Sequence, residues 1–211
     1  MTDRQKQASR FFMQANGRSN QVGTAAHDGA DDAVGVTRCW FVAVVARNTE
    51  KNCRERLRQA GYDVYVASQE EVHIWANGRR KKVERILIPA RVFICLTETE
   101  RREVVALPYI KYFLTDKAAK ANAYGVHPVA RIPDREMQML RFMLYQADAP
   151  VDFVSHVHLG DRIRVVRGSL KGFEGHITNL PSGESFVVAR LDSLGCAIMK
   201  ISPEDVEILK S

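Results

Sequence analysis

The residues with the clearest chemical potential form a basic run beside an Asn-Gly dipeptide. Asn77-Gly78 is typical of the tight turn of a β-hairpin, and strands are predicted on either side, over 72–75 and 79–85. Clustered guanidinium and ammonium groups attract nucleic-acid phosphates without regard to base sequence. The cluster comprises Arg79, Arg80, Lys81, Lys82 and Arg85, with Arg91 further along. The alternative, solvated charge on an exposed hairpin, stays open.

The sequence contains no motif that is typical of a catalytic site. No nucleophile lies beside a base, and no two carboxylates have catalytic spacing. The glycine-bearing stretch 168–175 follows a predicted strand but precedes no helix pattern, so it does not match a nucleotide-binding loop. Cys39, Cys53, Cys95 and Cys196 lack Cys-x-x-Cys spacing, which indicates reduced thiols. We therefore expect no enzymatic activity, no metal and no cofactor.

Composition narrows the class of protein only a little. The formal charge of +6 arises from 31 basic and 25 acidic residues, a weak preference for an anionic partner. The 45% of hydrophobic residues suffices for a core in one or two domains among the 211 residues. No apolar run approaches the ~20 residues that span a bilayer, and no secretory signal is apparent. We expect a cytoplasmic protein with no membrane partner.

The elements that would position these residues fall into four segments. Residues 1–38 are rich in glycine and small polar residues and predict a flexible tail. Residues 39–148 predict an α+β domain with the order β-α-β-hairpin-β-α-β-α, beginning with the apolar run 40–46. Residues 149–158 predict a linker. Residues 159–211 predict a small curled β-barrel, because short alternating strands are joined by glycine turns.

Two motifs in this order resemble the NusG family of transcription elongation factors. The stretch 160–180 is similar to the KOW motif, and the preceding domain is similar to the family's N-terminal (NGN) domain. The matching residues are Trp40-Phe41-Val42, Gln69-Glu70-Glu71-Val72, Asn77-Gly78-Arg79-Arg80-Lys81-Lys82, Ile88-Pro89, Val92-Phe93-Ile94 and Val105-Ala106-Leu107-Pro108. The resemblance implies an antiparallel sheet flanked by helices, followed by a small KOW β-barrel.

The resemblance also implies that the first domain binds RNA polymerase. Members of the family hold the tip of a coiled coil on the polymerase clamp in an apolar depression. The residues carried over to this contact are Trp40, Phe41, Ile88, Pro89, Arg91, Val92 and Phe113. Pro89-Ala90-Arg91 stands where many members have Pro-Gly-Tyr, so the contact surface is altered or rests on neighbouring residues. The alternative, that these are ordinary core residues, stays open.

Specialised members of the family also contact non-template DNA or nascent RNA. Besides the basic cluster, the candidate contacts are Arg54, Arg58, His73 and Trp75. In the barrel, Phe173 at the loop tip is either an exposed anchor or a cover for the small core. The candidate partner-binding residues there are Arg167, Gly168, Lys171, Gly172 and Phe173, and the resemblance implies a ribosomal protein or a termination factor as the partner.

The resulting hypothesis is a monomeric elongation or antitermination factor that suppresses pausing or termination. The stretch 187–209 is similar to the ends of the specialised UpxY-type members, which act on surface-polysaccharide operons. The alternative is a KOW protein that associates with the ribosome or another RNA and acts in translation.

Overall fold

The computed structural model describes residues 37–75, 78–155, 157–179 and 183–209, and for His73 and Ile74 it describes the backbone alone. The tail predicted over 1–38 therefore lies almost entirely outside the described residues. Regular structure begins at Cys39, as expected from the apolar run that follows it. In the described part of the chain, no helix is long and apolar enough to cross a membrane.

The first half contains both strands and helices. In chain order they are β1 (Cys39–Val44), α1 (Glu50–Gln59), β2 (Asp63–Tyr65), β3 (Ser68–Ile74), β4 (Arg80–Ile86), β5 (Arg91–Leu96), α2 (Glu98–Val104), β6 (Tyr112–Phe113), β7 (Arg131–Ile132) and α3 (Asp134–Gln146). The predicted α+β class is confirmed, and β3 and β4 form the predicted hairpin as a separate two-stranded sheet.

Strand β1 is the centre of the first sheet. It pairs antiparallel with β5 on one side and with both β6 and β7 on the other, and β2 pairs with β5. After Cys39 every residue of β1 is buried, because helices or strands cover both faces of the sheet. Successive side chains point to opposite faces. Phe41 and Ala43 therefore enter one core cluster, and Trp40 and Val42 enter another.

Helices α1 and α2 contribute to the core on the Phe41 face. Cys53 and Leu57 of α1 and Val104 of α2 are buried in it. Thr97 caps α2: its hydroxyl accepts from the Glu100 N–H, and the Glu100 carboxylate accepts from the Thr97 N–H. This reciprocal capping fixes where the chain leaves β5 and enters the helix.

Helix α3 covers the Trp40 face. It begins directly after Pro133, which occupies the N-cap position. Its buried residues are Met137, Leu140, Met143 and Leu144, whose spacing places them on one face of the helix. The helix contacts β1 and β3 of the first half and also a strand of the second half.

The second half is a six-stranded antiparallel sheet. Its strands are β8 (Val151–Val154), β9 (Arg162–Val165), β10 (Glu174–Asn179), β11 (Ser185–Leu191), β12 (Gly195–Lys200) and β13 (Val206–Ile208). Their order is β13-β9-β10-β11-β12-β8. Within the described ranges no backbone pairing joins the edge strands β8 and β13, so the predicted barrel closure is not observed. The strand-rich architecture fits a KOW-like domain.

The predicted linker over 149–158 needs correction. Four of its residues form β8, in which Val151 to Val154 pair with Met199 to Cys196 of β12. The sequence Val-Asp-Phe-Val alternates apolar and polar at its start, and Val151 is fully buried. The segment is therefore an edge strand of the second sheet.

The two halves share one hydrophobic cluster. Trp40 and Phe93 of the first sheet belong to it together with Ile163 and Val187 of the second. Phe142 of α3 stacks on Phe173 of the second half, with ring centroids 6.2 Å apart and ring planes 20° from parallel. Residues 37–211 accordingly form one compact unit.

This packing predicts energetic coupling between Phe142 and Phe173. In a double-mutant cycle with Phe142→Ala and Phe173→Ala, we expect a coupling free energy of about 0.5–1.5 kcal/mol, as for other aromatic pairs. Unfolding by urea, followed by circular dichroism, measures it. The Tyr65–Phe93 pair within the first half, also 6.2 Å apart, is the positive control. Additive effects of the two substitutions would contradict packing between the halves.

Candidate functional site

The aromatic and aliphatic residues carried over to polymerase binding are all buried. Their exposed fractions lie between 0 and 6% for Trp40, Phe41, Ile88, Val92 and Phe113. Of the predicted set, Pro89 is exposed and Arg91 is half-buried. In this conformation, these residues do not line an apolar hollow open to a partner.

Helix α3 covers the side of the set that contains Trp40. The Arg141 guanidinium of α3 lies 4.5 Å from the Trp40 ring centroid and 4.9 Å from that of Tyr65. Such contacts stabilise by about 0.5–2 kcal/mol, depending on how far the cation is desolvated. Asp63 holds the same arginine at 3.7 Å. Burial raises the pKa of Tyr65 to about 12, so its ring remains a neutral platform for the cation.

The remaining aromatic residues of the set lie on the opposite face of the sheet. Phe41 and Phe113 meet edge to face, with centroids 6.0 Å apart. The Arg101 guanidinium lies 5.9 Å and 5.7 Å from these two rings. Since Trp40 and Phe41 are on different faces, the predicted residues do not form one surface.

The hairpin β3–β4 does present the predicted basic cluster to solvent. Arg79, Arg80, Lys81 and Lys82 are exposed, and the Lys82 ammonium lies 3.7 Å from the Glu70 carboxylate. Gly78 has a positive φ of 76°, as the predicted turn requires, whereas Asn77 lies outside the described residues. Trp75 is exposed near the same tip, and the His73 side chain is not described.

Arg85 has a different environment from the rest of the cluster. Its Nη2 donates to the Val151 carbonyl at 2.7 Å, and its guanidinium lies 2.5 Å from Glu71 and 3.5 Å from Asp152. These contacts attach the base of the hairpin to β8 and leave little of the charge for a phosphate.

Gln69 reinforces this attachment; in the sequence it stands out only as part of the motif Gln69-Glu70-Glu71-Val72, with no contact assigned to it. Its Nε2 donates to the Ala149 carbonyl at 2.8 Å, and its Oε1 accepts from the Val151 N–H at 3.0 Å. The side-chain amide thus satisfies backbone groups of the incoming strand as a neighbouring strand would. The sequence does not predict this contact, because Gln69 and the backbone groups that it meets are about 80 positions apart in the chain.

Arg54 and Arg58, the candidate nucleic-acid contacts on α1, both have partners within the protein. Arg54 Nη1 donates to Glu84 at 3.1 Å, and Arg58 Nη2 donates to the Val64 carbonyl at 3.3 Å. Arg58 is nevertheless exposed, whereas Arg54 is largely covered. Of the two, only Arg58 is accessible to a nucleic acid in this conformation.

Glu84 is the acceptor that connects the hairpin to α1. It receives hydrogen bonds from Ser68 and Arg54 and an ion pair from Lys51 at 3.0 Å. Burial alone would raise the pKa of Glu84, but these donors outweigh it and lower the pKa to about 2. The carboxylate therefore stays ionised and holds the hairpin on α1 at neutral pH.

In the second half, the loop between β9 and β10 resolves the two alternatives for Phe173. The ring is buried and packs against Phe142, so it covers the core rather than serving as an exposed anchor. Gly168 and Gly172 have φ of 79° and 91°, which lets the chain fold back over the ring. Arg167 and Lys171 remain exposed on the loop.

Comparison with known proteins finds one family model that matches part of the chain. Residues 38–141, just under half of the chain, match the family model described as "NusG: Transcription termination factor nusG". No curated protein sequence matches the chain.

Two solved structures are similar to the chain over most of its length. One is described as "Domain interaction in Thermotoga maritima NusG", with 17% identity, 82% of this chain and 98% of that chain covered, and a TM-score of 0.43. The other is described as "Crystal Structure of MjSpt4:Spt5 complex conformation B", with 14% identity, coverage of 82% and 97%, and a TM-score of 0.26.

The Glu84 contacts predict a stability change with a defined pH dependence. Since the folded-state pKa is lowered, the stabilisation is present above the ordinary carboxyl pKa and is lost as the pH falls towards about 2. We expect Glu84→Gln to lower the free energy of unfolding by roughly 1–3 kcal/mol at pH 7. The difference from the wild type should shrink between pH 5 and pH 2.

Urea unfolding at several pH values measures this difference. Glu103→Gln, at an exposed glutamate of α2, is the matched control and should behave as the wild type does. A difference for Glu84→Gln that stays constant with pH would contradict the assigned ionisation.

Proposed function

We propose that this chain is a transcription elongation factor of the NusG family that acts by binding RNA polymerase. The single observation that carries the proposal is the match of residues 38–141 to the family model. The α+β architecture of that segment is consistent with it. Such a factor needs no chemistry of its own, because it shifts polymerase between states by binding one of them more tightly.

Because most of the predicted contact residues are buried, only some of them are accessible to a polymerase. Pro89 and Arg91 are the members of the set that a partner reaches without any rearrangement. Trp40 and Ile88 lie in the core that includes α3, so a partner reaches them only if α3 moves off the first sheet. We propose that Pro89 and Arg91 lie within the polymerase interface.

The exposed hairpin is the proposed contact to nucleic acid near the polymerase. Its four exposed basic residues would add salt-dependent attraction to phosphates, and Trp75 supplies an exposed ring nearby. The attachment of the hairpin base through Gln69 and Arg85 supports this role, since an arm held at its base loses less entropy on binding.

The finer proposal is a specialised antitermination factor that acts on one operon, such as a surface-polysaccharide operon. Its support is the similarity of residues 187–209 to UpxY-type members. In the second half, Arg167 and Lys171 are the exposed loop residues available to a further partner, such as a ribosomal protein or a termination factor.

Binding to core RNA polymerase tests the proposal. We expect the full chain to bind the core enzyme from its own cell and to shorten pauses in single-round transcription. Reversing an interface charge weakens association, so Arg91→Glu should weaken binding by about 5- to 10-fold. Arg102→Glu, at an exposed arginine of α2, is the matched control and should bind as the wild type does.

Three outcomes would count against these assignments. Capture of ribosomes without polymerase would contradict the function and favour a role in translation. Equal binding by the wild type and Arg91→Glu would remove Arg91 from the interface. Polymerase binding without any effect on pausing or termination would contradict the elongation role.

A further inference from the structure

An arm of the first sheet projects between β6 and β7. It comprises residues 114–130 and is held by backbone hydrogen bonds between its two sides. The Ala130 N–H donates to the Leu114 carbonyl and the Asp116 N–H to the Pro128 carbonyl, each at 2.8 Å. At the base, the Leu114 N–H donates to the Val42 carbonyl of β1 at 2.9 Å. The base of the arm is therefore hydrogen-bonded to the central strand β1.

The tip of the arm has its own internal hydrogen bonds. Asn122 Oδ1 accepts from the N–H groups of Tyr124 and Val126, at 2.9 Å and 3.0 Å. The Asn122 N–H donates to the Val126 carbonyl at 2.9 Å, and His127 Nδ1 lies 2.8 Å from the Ala119 carbonyl. These bonds fix the backbone that carries Tyr124, so ordering the tip would cost a ligand little.

Tyr124 is displayed to solvent by this rigid tip. Its side chain is 91% exposed, so it contributes almost nothing to the core of the protein. The neighbouring Val126 is 57% exposed. A solvated aromatic ring on a backbone held by hydrogen bonds is a surface on which a planar, apolar group can stack.

The charged side chains of the arm and its base are mostly basic. Lys117 and Lys120 are exposed on the tip, and Lys111 and Arg131 are exposed at the base of the arm. Asp116 is the one acidic residue between positions 111 and 131, and its Oδ1 accepts from the Ala118 N–H at 2.9 Å. The arm that carries Tyr124 therefore favours a ligand that carries negative charge.

We propose that this arm binds single-stranded nucleic acid, with one base stacked on Tyr124 and neighbouring phosphates close to Lys117 and Lys120. Single strands offer free base faces, whereas the bases of a duplex are already stacked on each other. A protein partner fits less well, because one ring and one valine make a small apolar contact for a specific interface. The inference goes beyond the proposed function and does not rest on it, since it uses neither the hairpin nor the polymerase contact.

Fluorescence anisotropy with a labelled 20-nucleotide strand tests the proposal. The probes are single-stranded DNA, single-stranded RNA of the same base order, and the corresponding DNA duplex. The full chain carries Arg79→Gln, Arg80→Gln, Lys81→Gln and Lys82→Gln in every sample, so that the hairpin does not mask the arm. Into this background are introduced Tyr124→Ala, Tyr124→Phe, and the pair Lys117→Gln and Lys120→Gln. Tyr145→Ala, at a half-exposed tyrosine of α3, is the matched control.

We expect Tyr124→Ala to weaken single-strand binding by about 5- to 150-fold, the range found for losing one base–aromatic stack. Tyr124→Phe keeps the ring and should retain the affinity. The paired lysine variant should lower the slope of log affinity against log salt by about 1.4, two phosphate contacts at about 0.7 each. The comparison of DNA with RNA identifies the preferred strand.

The proposal is overturned if the chain with an intact arm fails to bind either single strand. It is equally overturned if Tyr124→Ala binds as tightly as the parent, or if Tyr145→Ala loses as much affinity. Stacking on a free base would also be excluded if the duplex binds as tightly as the single strands and loses as much affinity in Tyr124→Ala. Because the substituted side chains are exposed, thermal unfolding curves of all variants should coincide with that of the parent.

Discussion

The packing of α3 between the two sheets is the interaction on which the rest of the structure depends. Met137, Leu140 and Met143 are fully buried, and each such side chain contributes about 1.5–3 kcal/mol through loss of apolar surface from water. The same helix holds Arg141 over Trp40 and Phe142 against Phe173. The amphipathic helix α3 thus covers one face of the first sheet and also packs against the second half.

The hairpin provides a second, polar connection between the halves. Gln69 and Arg85 attach to the backbone around Val151, and Glu84 fastens the opposite side of the hairpin to α1. The basic tip therefore projects from a base that is held on both sides. The basic residues of the tip are therefore exposed. Arg85, which sequence alone would group with them, makes contacts within the protein instead.

Features with a local cause were predictable from the sequence. The apolar run of β1, the hairpin with its turn glycine, and the start of α3 after Pro133 depend on residues close together in the chain. The glycines of the β9–β10 loop likewise have the backbone conformation that their residue type permits. Local patterns are enough here, because backbone geometry and hydrogen bonding within an element decide the outcome.

The parts that could not be predicted depend on which surfaces meet. Trp40 and Phe173 look like candidate contact residues in the sequence, yet both are buried by elements far along the chain. The strand at Val151 is stabilised by β12 and by Gln69, which are again distant in sequence. The arm that carries Tyr124 is held by hydrogen bonds that no residue pattern predicts.

The central claim is that both halves form one body in solution, with α3 between them. Nitrogen-15 NMR relaxation of backbone amides tests it directly, by comparing the rotational correlation times of residues 39–146 and 162–208. We expect one correlation time, as for the single compact unit of residues 37–211. Two distinct, shorter correlation times would show that the halves tumble separately, and would contradict the burial of Trp40 beneath α3.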